Sequence, residues 1–369
     1  MPEKKEMLEG KLADLQEEYS KTKDNKKTNK HLRILKAKIA DTKREIVIAS
    51  KHSKGEGYFI KKTGDATVAL VGFPSTGKST IINAIANTRS KTALYAFTTT
   101  TIIPGTMVYG DAHIQVFDMP GLIEGAHIGL GGARQVIAAM RTADLLVFVV
   151  DVNIPSTFDV LMSELASLNI NINREKPGVS IVENATGGVH IELNRSGLSD
   201  KVVQEIVSGL GRHNATVSIT GRLSEDELIA IVSGRAYYMR AIVALNKIDS
   251  NAAYAEVAKS ISSRYGGINV VPVSALNGGN IDKLKAAIYD SLGIITVYLK
   301  PKIGEERLMP MVLKRPATVA DAARKFHTAI VDELKCAYIT GPSARFQNQR
   351  VGAAHLLERG DVVTFIKNK

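Results

Sequence analysis

The stretch ATVALVGFPSTGKST, residues 66–80, decides the fold. Its first six residues form a short apolar run closed by glycine, which predicts a buried strand. From Gly72 to Thr80 it matches G-x-x-x-x-G-K-[ST], and Ser79 to Ala86 reads as a helix. Strand, glycine-rich loop and helix N-terminus, in that order, are the context in which backbone N–H groups cradle phosphate oxygens. The loop residues are Gly72, Phe73, Pro74, Ser75, Thr76, Gly77, Lys78, Ser79 and Thr80. Lys78 brings positive charge to the β- and γ-phosphates of a nucleoside triphosphate, and the Ser79 hydroxyl is placed for Mg²⁺.

Working outward, the same alternation recurs. HIQVFDMP (113–120), LLVFVVDV (145–152), AIVALNKID (241–249) and INVVPVSAL (268–276) read as strands. Residues 133–140 and IDKLKAAIYDSL (281–292) read as helices. Apolar strands alternating with helices predict an α/β fold with a mostly parallel sheet covered on both faces. Three further motifs end strands, where open α/β sheets bind ligands. Asp118-Met-Pro-Gly121 offers a carboxylate that can hold Mg²⁺ through water and, at Gly121, an N–H for the γ-phosphate. In Asn246-Lys-Ile-Asp249, the Asp249 carboxylate can accept from N1–H and the 2-amino group of guanine, a donor pair adenine lacks. Asn246 would buttress that loop, and Lys247 would lie along the base. Ser274-Ala275-Leu276 offers a backbone N–H for the guanine O6. Between the first two motifs, residues 95–105 hold four consecutive threonines, one of which should close over the nucleotide and bind Mg²⁺. The residue after Asp-x-x-Gly is Leu122, which cannot orient water as a glutamine does there in Ras-like GTPases. Glu124 and His127 are the polar candidates nearby.

The alternation is interrupted between Asp151 and Asn246, where about 60 residues exceed the roughly 30 of a crossover unit. Within them VSIVENATGGVHIEL (179–193) reads as a β-hairpin turning at Thr186-Gly187-Gly188. A helix (198–210), a strand (215–219) and a second helix (224–234) follow, the last with the Ser224/Glu227 spacing of a capping box. This predicts an inserted α+β module at about residues 170–235. Upstream, Met7, Leu8, Leu12, Leu15 and Tyr19, then Leu32, Leu35, Ile39 and Ile46, recur at helical spacing around a polar break at 21–30, predicting a helical hairpin. Downstream, strand-like runs at 295–301, 311–317, 336–341 and 361–368 surround one helix capped by Thr318, a β-grasp-like pattern. The expected division is 1–62, 63–292 and 293–369.

The 369 residues are 44% hydrophobic and 23% charged, a balance that excludes a largely disordered chain. The single cysteine, Cys336, excludes a disulfide framework and a cysteine-based zinc site. No apolar run reaches the roughly 20 residues of a membrane span, and the charged start predicts no signal peptide. A cytoplasmic location and no membrane partner are expected. The net charge of +11 is uneven. Residues 1–62 carry 17 basic and 10 acidic residues, 63–292 carry 18 and 20, and 293–369 carry 13 and 7. An acidic partner such as RNA should therefore meet the two ends. With aromatic content at 5% and no tryptophan, phosphate-directed binding is expected rather than base stacking, and Tyr237 and Tyr238 are expected to pack in a core.

The chain resembles the developmentally regulated GTP-binding proteins, in the Obg branch of GTPases. Residues 72–80, Phe97-Thr98-Thr99, Asp118-Met-Pro-Gly-Leu-Ile-Glu-Gly125, Arg134-Gln135-Val136-Ile137 and 246–249 carry the likeness. Arg350-Val-Gly-Ala-Ala-His355 and Asp361-Val-Val363 resemble the TGS domain, also found in threonyl-tRNA synthetases and stringent-response enzymes. The resemblance implies that Thr99 is the metal-binding threonine, beside Ser79 and Asp118. It implies a P-loop GTPase with an N-terminal helical hairpin, an inserted module and a C-terminal TGS domain. It further implies slow hydrolysis of GTP to GDP with Lys78, Thr99 and Gly121 at the reacting phosphate, and a ribosome-linked role. A P-loop asparagine marks potassium stimulation in related GTPases; Ser75 stands there in this chain, as in this subfamily, and K⁺ is carried as a candidate cofactor. The alternatives are a GTP-ordered adaptor that docks a regulatory protein with negligible hydrolysis, and an ATPase. Asp249 argues against the latter, because the sister branch that prefers ATP has glutamate there.

Overall fold

The computed structural model describes residues 2–23, 25, 28–49, 64–86, 88–89, 105–119, 142–300, 308–327, 330 and 333–367. Two helices come first, α1 (Pro2–Lys21) and α2 (Asn29–Ala49). A core series follows: β1 (Ala66–Val71), α3 (Lys78–Ile85), β2 (Thr88–Arg89), β3 (Gly105–Tyr109), β4 (Ala112–Asp118), β5 (Leu145–Asp151) and α4 (Ser156–Ser167). The inserted series is β6 (Ile170–Ile172), β7 (Val179–Glu183), β8 (Val189–Asn194), α5 (Asp200–Gly209), β9 (Ala215–Ile219), α6 (Glu225–Val232) and β10 (Tyr237–Met239). The core resumes with β11 (Ala241–Asn246), α7 (Tyr254–Arg264), β12 (Val270–Pro272) and α8 (Ile281–Ser291). The last part holds β13 (Ile294–Leu299), β14 (Met309–Lys314), α9 (Val319–Phe326), β15 (Leu334–Thr340), β16 (Gln349–Val351) and β17 (Val362–Lys367). The expected helix over 133–140 lies outside the described residues. No described helix is long and apolar enough to cross a membrane.

The chain divides into two compact units, residues 1–57 with 163–239 and residues 58–162 with 240–369. In the second unit a seven-stranded sheet runs β12-β11-β5-β1-β4-β3-β2. All its pairs are parallel except β3 with β4 and β2 with β3. Every residue of β1, β5 and β11 is buried, as strands covered on both faces must be. The chain moves from β1 outward in both directions, to β4 and to β5, so the loop after β1 sits where the strand order reverses.

The C-terminal part of the same unit is a five-stranded sheet, β14-β13-β17-β15-β16, with α9 packed on it through Val319 and Ala322. The Thr318 hydroxyl accepts from the Asp321 N–H and the Asp321 carboxylate returns a bond to the Thr318 N–H, so the expected cap is a full capping box. This sheet joins the turn between β3 and β4. The Thr296 hydroxyl donates to the Gly110 carbonyl at 2.7 Å, and the Tyr298 hydroxyl to Asp111 at 2.8 Å. The Arg359 guanidinium lies 4.7 Å from the Tyr289 ring centre and 5.6 Å from that of Tyr109. Val312 and Ile294 belong to the apolar core beneath the seven-stranded sheet.

In the first unit, α1 and α2 form the expected hairpin, closed by Leu8, Leu12 and Ile46. Ala37 and Ala40 of α2 pack on Val203, Ile206 and Leu228. Arg33 bridges Glu205 at 3.3 Å and Glu225 at 2.9 Å, and Lys36 pairs with Asp226 at 2.8 Å. Two cations of the basic hairpin are thus already engaged by the inserted series.

One expectation is overturned here. β7 and β8 do not form a hairpin: the sheet order is β7-β9-β8, with β9 antiparallel to β7 and parallel to β8. The reason is burial. β9 places Ala215, Val217 and Ile219 at full burial, whereas no residue of β7 or β8 is buried. The most buried strand takes the centre. The Asn184 N–H and the Gly188 N–H both bond to Asn214, just ahead of β9, so the glycine-containing connection straddles that strand. Tyr237 and Tyr238 are half-buried in β10, which pairs with β6.

Candidate functional site

The first loop of the site, residues 72–80, leaves β1 and enters α3. Its backbone requires glycine twice. A Cβ on Gly72 would sit 2.4 Å from the Val149 carbonyl oxygen. Gly77 has φ +93°, and a Cβ there would sit 2.3 Å from the Asn246 amide nitrogen. Thr76 is buried and its hydroxyl donates to the Phe73 carbonyl at 2.9 Å. The Lys78 ammonium donates to the Gly72 and Phe73 carbonyls at 2.9 and 3.0 Å, folding back over the loop. Pro74, Ser75, Ser79 and Thr80 are exposed.

Asp118 ends β4, the parallel neighbour of β1, with Leu70 opposite it. Its Oδ1 is buried with no hydrogen-bond partner among the described residues. Burial raises its pKa, and the nearby Lys78 charge offsets this only in part. A buried, orphaned carboxylate oxygen beside a phosphate-binding loop is a donor suited to a hard divalent cation, and Ser79 supplies a second oxygen. Thr99 and Gly121, and with them Leu122, Glu124 and His127, lie outside the described residues.

A raised carboxyl pKa means that the folded state binds the proton more tightly than the unfolded state. Asp118 therefore costs stability once it ionises, and this cost grows as pH rises through the two pKa values. Asp118→Asn is expected to raise the melting temperature of nucleotide-free protein at pH 7, with a smaller gain at pH 4, while abolishing the Mg²⁺ dependence of nucleotide binding. Differential scanning calorimetry at the two pH values checks the sign; a lower melting temperature at pH 7 refutes it.

The second half of the site ends β11 and follows β12. Asn246 is buried to 3% exposure and bridges the loops: its Nδ2 donates to the Thr76 carbonyl at 2.9 Å and its Oδ1 accepts from the Ala275 N–H at 3.1 Å. Lys247 takes the left-handed conformation, φ 66°, which turns the chain sharply and brings Asp249 round. The Ser274 hydroxyl donates to Asp249 Oδ1 and accepts from the Asn277 N–H at 3.3 Å. Leu276 is 81% exposed. Residues 72–80, Asp118, 246–249 and 274–276 therefore gather at the carboxyl ends of the parallel strands β1, β4, β11 and β12, with β5 between the two pairs. Asp151, Asn153 and Ser250 join this constellation, and the motif reading missed them. The one signal for Asp151 was its place, an acidic residue closing a wholly apolar strand.

A phosphate-type loop opening at the strand-order reversal, with a carboxylate-bearing loop after β11, defines a P-loop GTPase fold. The profile described as 50S ribosome-binding GTPase matches residues 67–185, that of its C-terminal region 186–294, and that of the TGS domain 295–367. The chain is 36% identical over 365 residues to developmentally-regulated GTP-binding protein 1 of Xenopus laevis, covering 96% of this chain and 98% of the relative. It is 37% identical over 363 residues to an uncharacterized GTP-binding protein of Methanocaldococcus jannaschii, covering 97% and 93%. The solved YchF GTPase of Schizosaccharomyces pombe shares the fold at 16% identity, with a TM-score of 0.50 over 83% of this chain and 99% of that one. The chain belongs to the family of developmentally regulated GTP-binding proteins.

Proposed function

We propose that this protein hydrolyses GTP slowly to GDP and phosphate, with Mg²⁺, as a switch that meets the ribosome or RNA. The observation that carries the reading is Asn246, which ties the phosphate loop at Thr76 to the base-side loop at Ala275. One amide thus sets the spacing between a site for phosphates and a site for a purine. In this reading Gly72 to Thr80 cradle the phosphates, and Lys78 neutralises the β- and γ-oxygens. Ser79, Thr99 and Asp118 hold Mg²⁺, which supplies charge neutralisation at the phosphates. The Gly121 N–H meets the γ-phosphate. Asp249, oriented by Ser274, selects guanine; Lys247 and Leu276 flank the base, and the Ala275 region faces O6.

In this reading the division is a basic helical hairpin and linker over 1–62, a GTPase domain with the inserted module at about 170–235 over 63–292, and a TGS domain over 293–369. A ribosome role is supported by the profile description at 67–185 and by the basic ends. Arg33 and Lys36 are spent on internal ion pairs, so RNA contact falls to the remaining cations.

The test is GTP turnover with and without ribosomes, in potassium and in sodium, with ATP as competitor. Turnover is expected to rise with ribosomes, and ribosome binding is expected to fall steeply between 50 and 200 mM salt, about tenfold or more for a few phosphate contacts. ATP in tenfold excess is expected not to compete. Turnover no faster than that of a Lys78→Ala variant under every condition favours the adaptor reading instead. A higher rate in potassium than in sodium would make K⁺ a cofactor.

A further inference from the structure

Outside the four nucleotide motifs, one polar cluster sits on the base side of the site. β5 and β11 are parallel neighbours with Asp151 opposite Asn246, so the last residue of β5 faces the start of the base-side loop. Asp151 is 9% exposed. Its Oδ2 accepts from the Lys247 ammonium at 2.7 Å. Its Oδ1 accepts from the Asn153 N–H at 2.9 Å and from Asn153 Nδ2 at 3.1 Å. Asn153 Nδ2 also donates to the Ser250 hydroxyl at 2.8 Å, and that hydroxyl donates to the Lys247 carbonyl at 2.7 Å. The circuit closes on Lys247 from both ends, side chain and main chain.

We infer that Asp151, with Asn153, is a positioning residue for guanine-nucleotide binding that acts by holding Lys247 in place. The inference rests on the reading of this site as a guanine-nucleotide site. Lys247 has a long, flexible stem, and ordering such a side chain is among the larger entropic costs a binding site meets. The strand ladder alone fixes the backbone up to Asn246. Beyond it the chain turns through a left-handed residue, and no ladder bond reaches the ammonium. The carboxylate supplies that constraint before any nucleotide arrives, and Asn153 keeps the carboxylate itself from rotating. Preorganisation of this kind shows as affinity for the nucleotide and as slower release.

The experiment is equilibrium binding of a fluorescent GDP analogue to the full chain, with GDP release followed by chase. Asp151→Asn is isosteric and keeps an acceptor for Asn153 but loses the charge toward Lys247. It is expected to weaken GDP binding by about tenfold, through faster release, and to place the loss on KM for GTP. Asn153→Ala, which leaves both charges intact, is expected to give a smaller loss of the same kind. The deciding readout is the double variant: Asp151→Asn with Lys247→Ala is expected to bind GDP as Lys247→Ala alone does, because the carboxylate has nothing left to hold. A merely structural Asp151 would add its own loss to that of Lys247→Ala. Additive losses, or wild-type affinity in both Asp151→Asn and Asn153→Ala, overturn the inference. Parent protein that binds no guanine nucleotide overturns the proposed function and this inference with it, so the two failures are told apart by the parent alone.

Discussion

Lys78→Ala is expected to lower single-turnover GTP hydrolysis by about 10²- to 10³-fold, the range seen when one preorganised charge or donor is removed from a developing transition-state charge. In phosphoryl transfer the protein contributes position and electrostatics rather than covalent chemistry, so a point charge beside the γ-phosphate carries a large share. In the structure the ammonium donates to two loop carbonyls, at Gly72 and Phe73, out of three available donors. Among the described residues it forms no ion pair, and a carboxylate that feels its charge is Asp118. Because the bonds of Lys78 among the described residues go to loop carbonyls, the fold should survive the substitution, and the melting temperature is expected to change by no more than a few degrees. Hydrolysis within tenfold of the parent at saturating Mg²⁺ and GTP rules Lys78 out of the chemistry.

Asn246→Ala should act on stability and binding together. It removes the amide that joins Thr76 to Ala275 and leaves a carbonyl and an N–H without their partner in a buried setting. Each such orphan costs about 1–3 kcal/mol, so a loss of about 2–6 kcal/mol is expected in urea unfolding of the nucleotide-free protein. GDP binding should fall below detection at micromolar protein, because the phosphate and base loops lose their common reference. Asn246→Asp is the sharper variant. It retains the acceptor for the Ala275 N–H but sets a carboxylate oxygen against the Thr76 carbonyl, and it should lose as much. Parent-like urea midpoints in both variants would sink the idea that this amide couples the loops.

Much of this was legible in the residues before any coordinates. The stretch from Ala66 to Thr80 carries its own context, since strand, loop and helix are contiguous and each has a local signal. The capping box at Ser224 and the cap at Thr318 are equally local, and both form. The β7–β8 pairing failed because a glycine turn between two alternating runs says only that the chain turns. Which strand lies beside which depends on burial competition with β9, a residue range away in sequence. Asp151 failed for a related reason. Its partner Lys247 is nearly a hundred positions distant, as Ser250 is from Asn153, and only the register of β5 on β11 brings them together. Charge counting overstated the free cations of the hairpin, because Arg33 and Lys36 meet carboxylates that no pattern along the chain could pair with them.

The seam at the β3–β4 turn bears on how the protein meets a large partner. Thr296, Tyr298 and Arg359 hold the turn, and Ile294 and Val312 lend side chains to the core under the nucleotide sheet. A domain attached by a flexible tether engages with an effective concentration set by the tether's length, and it loses that freedom on docking. Here hydrogen bonds and a shared apolar core tie the two sheets into one compact unit. The C-terminal sheet and the nucleotide-binding strands belong to one compact unit, so a partner that touched both, as in the proposed ribosome role, would meet them as one template.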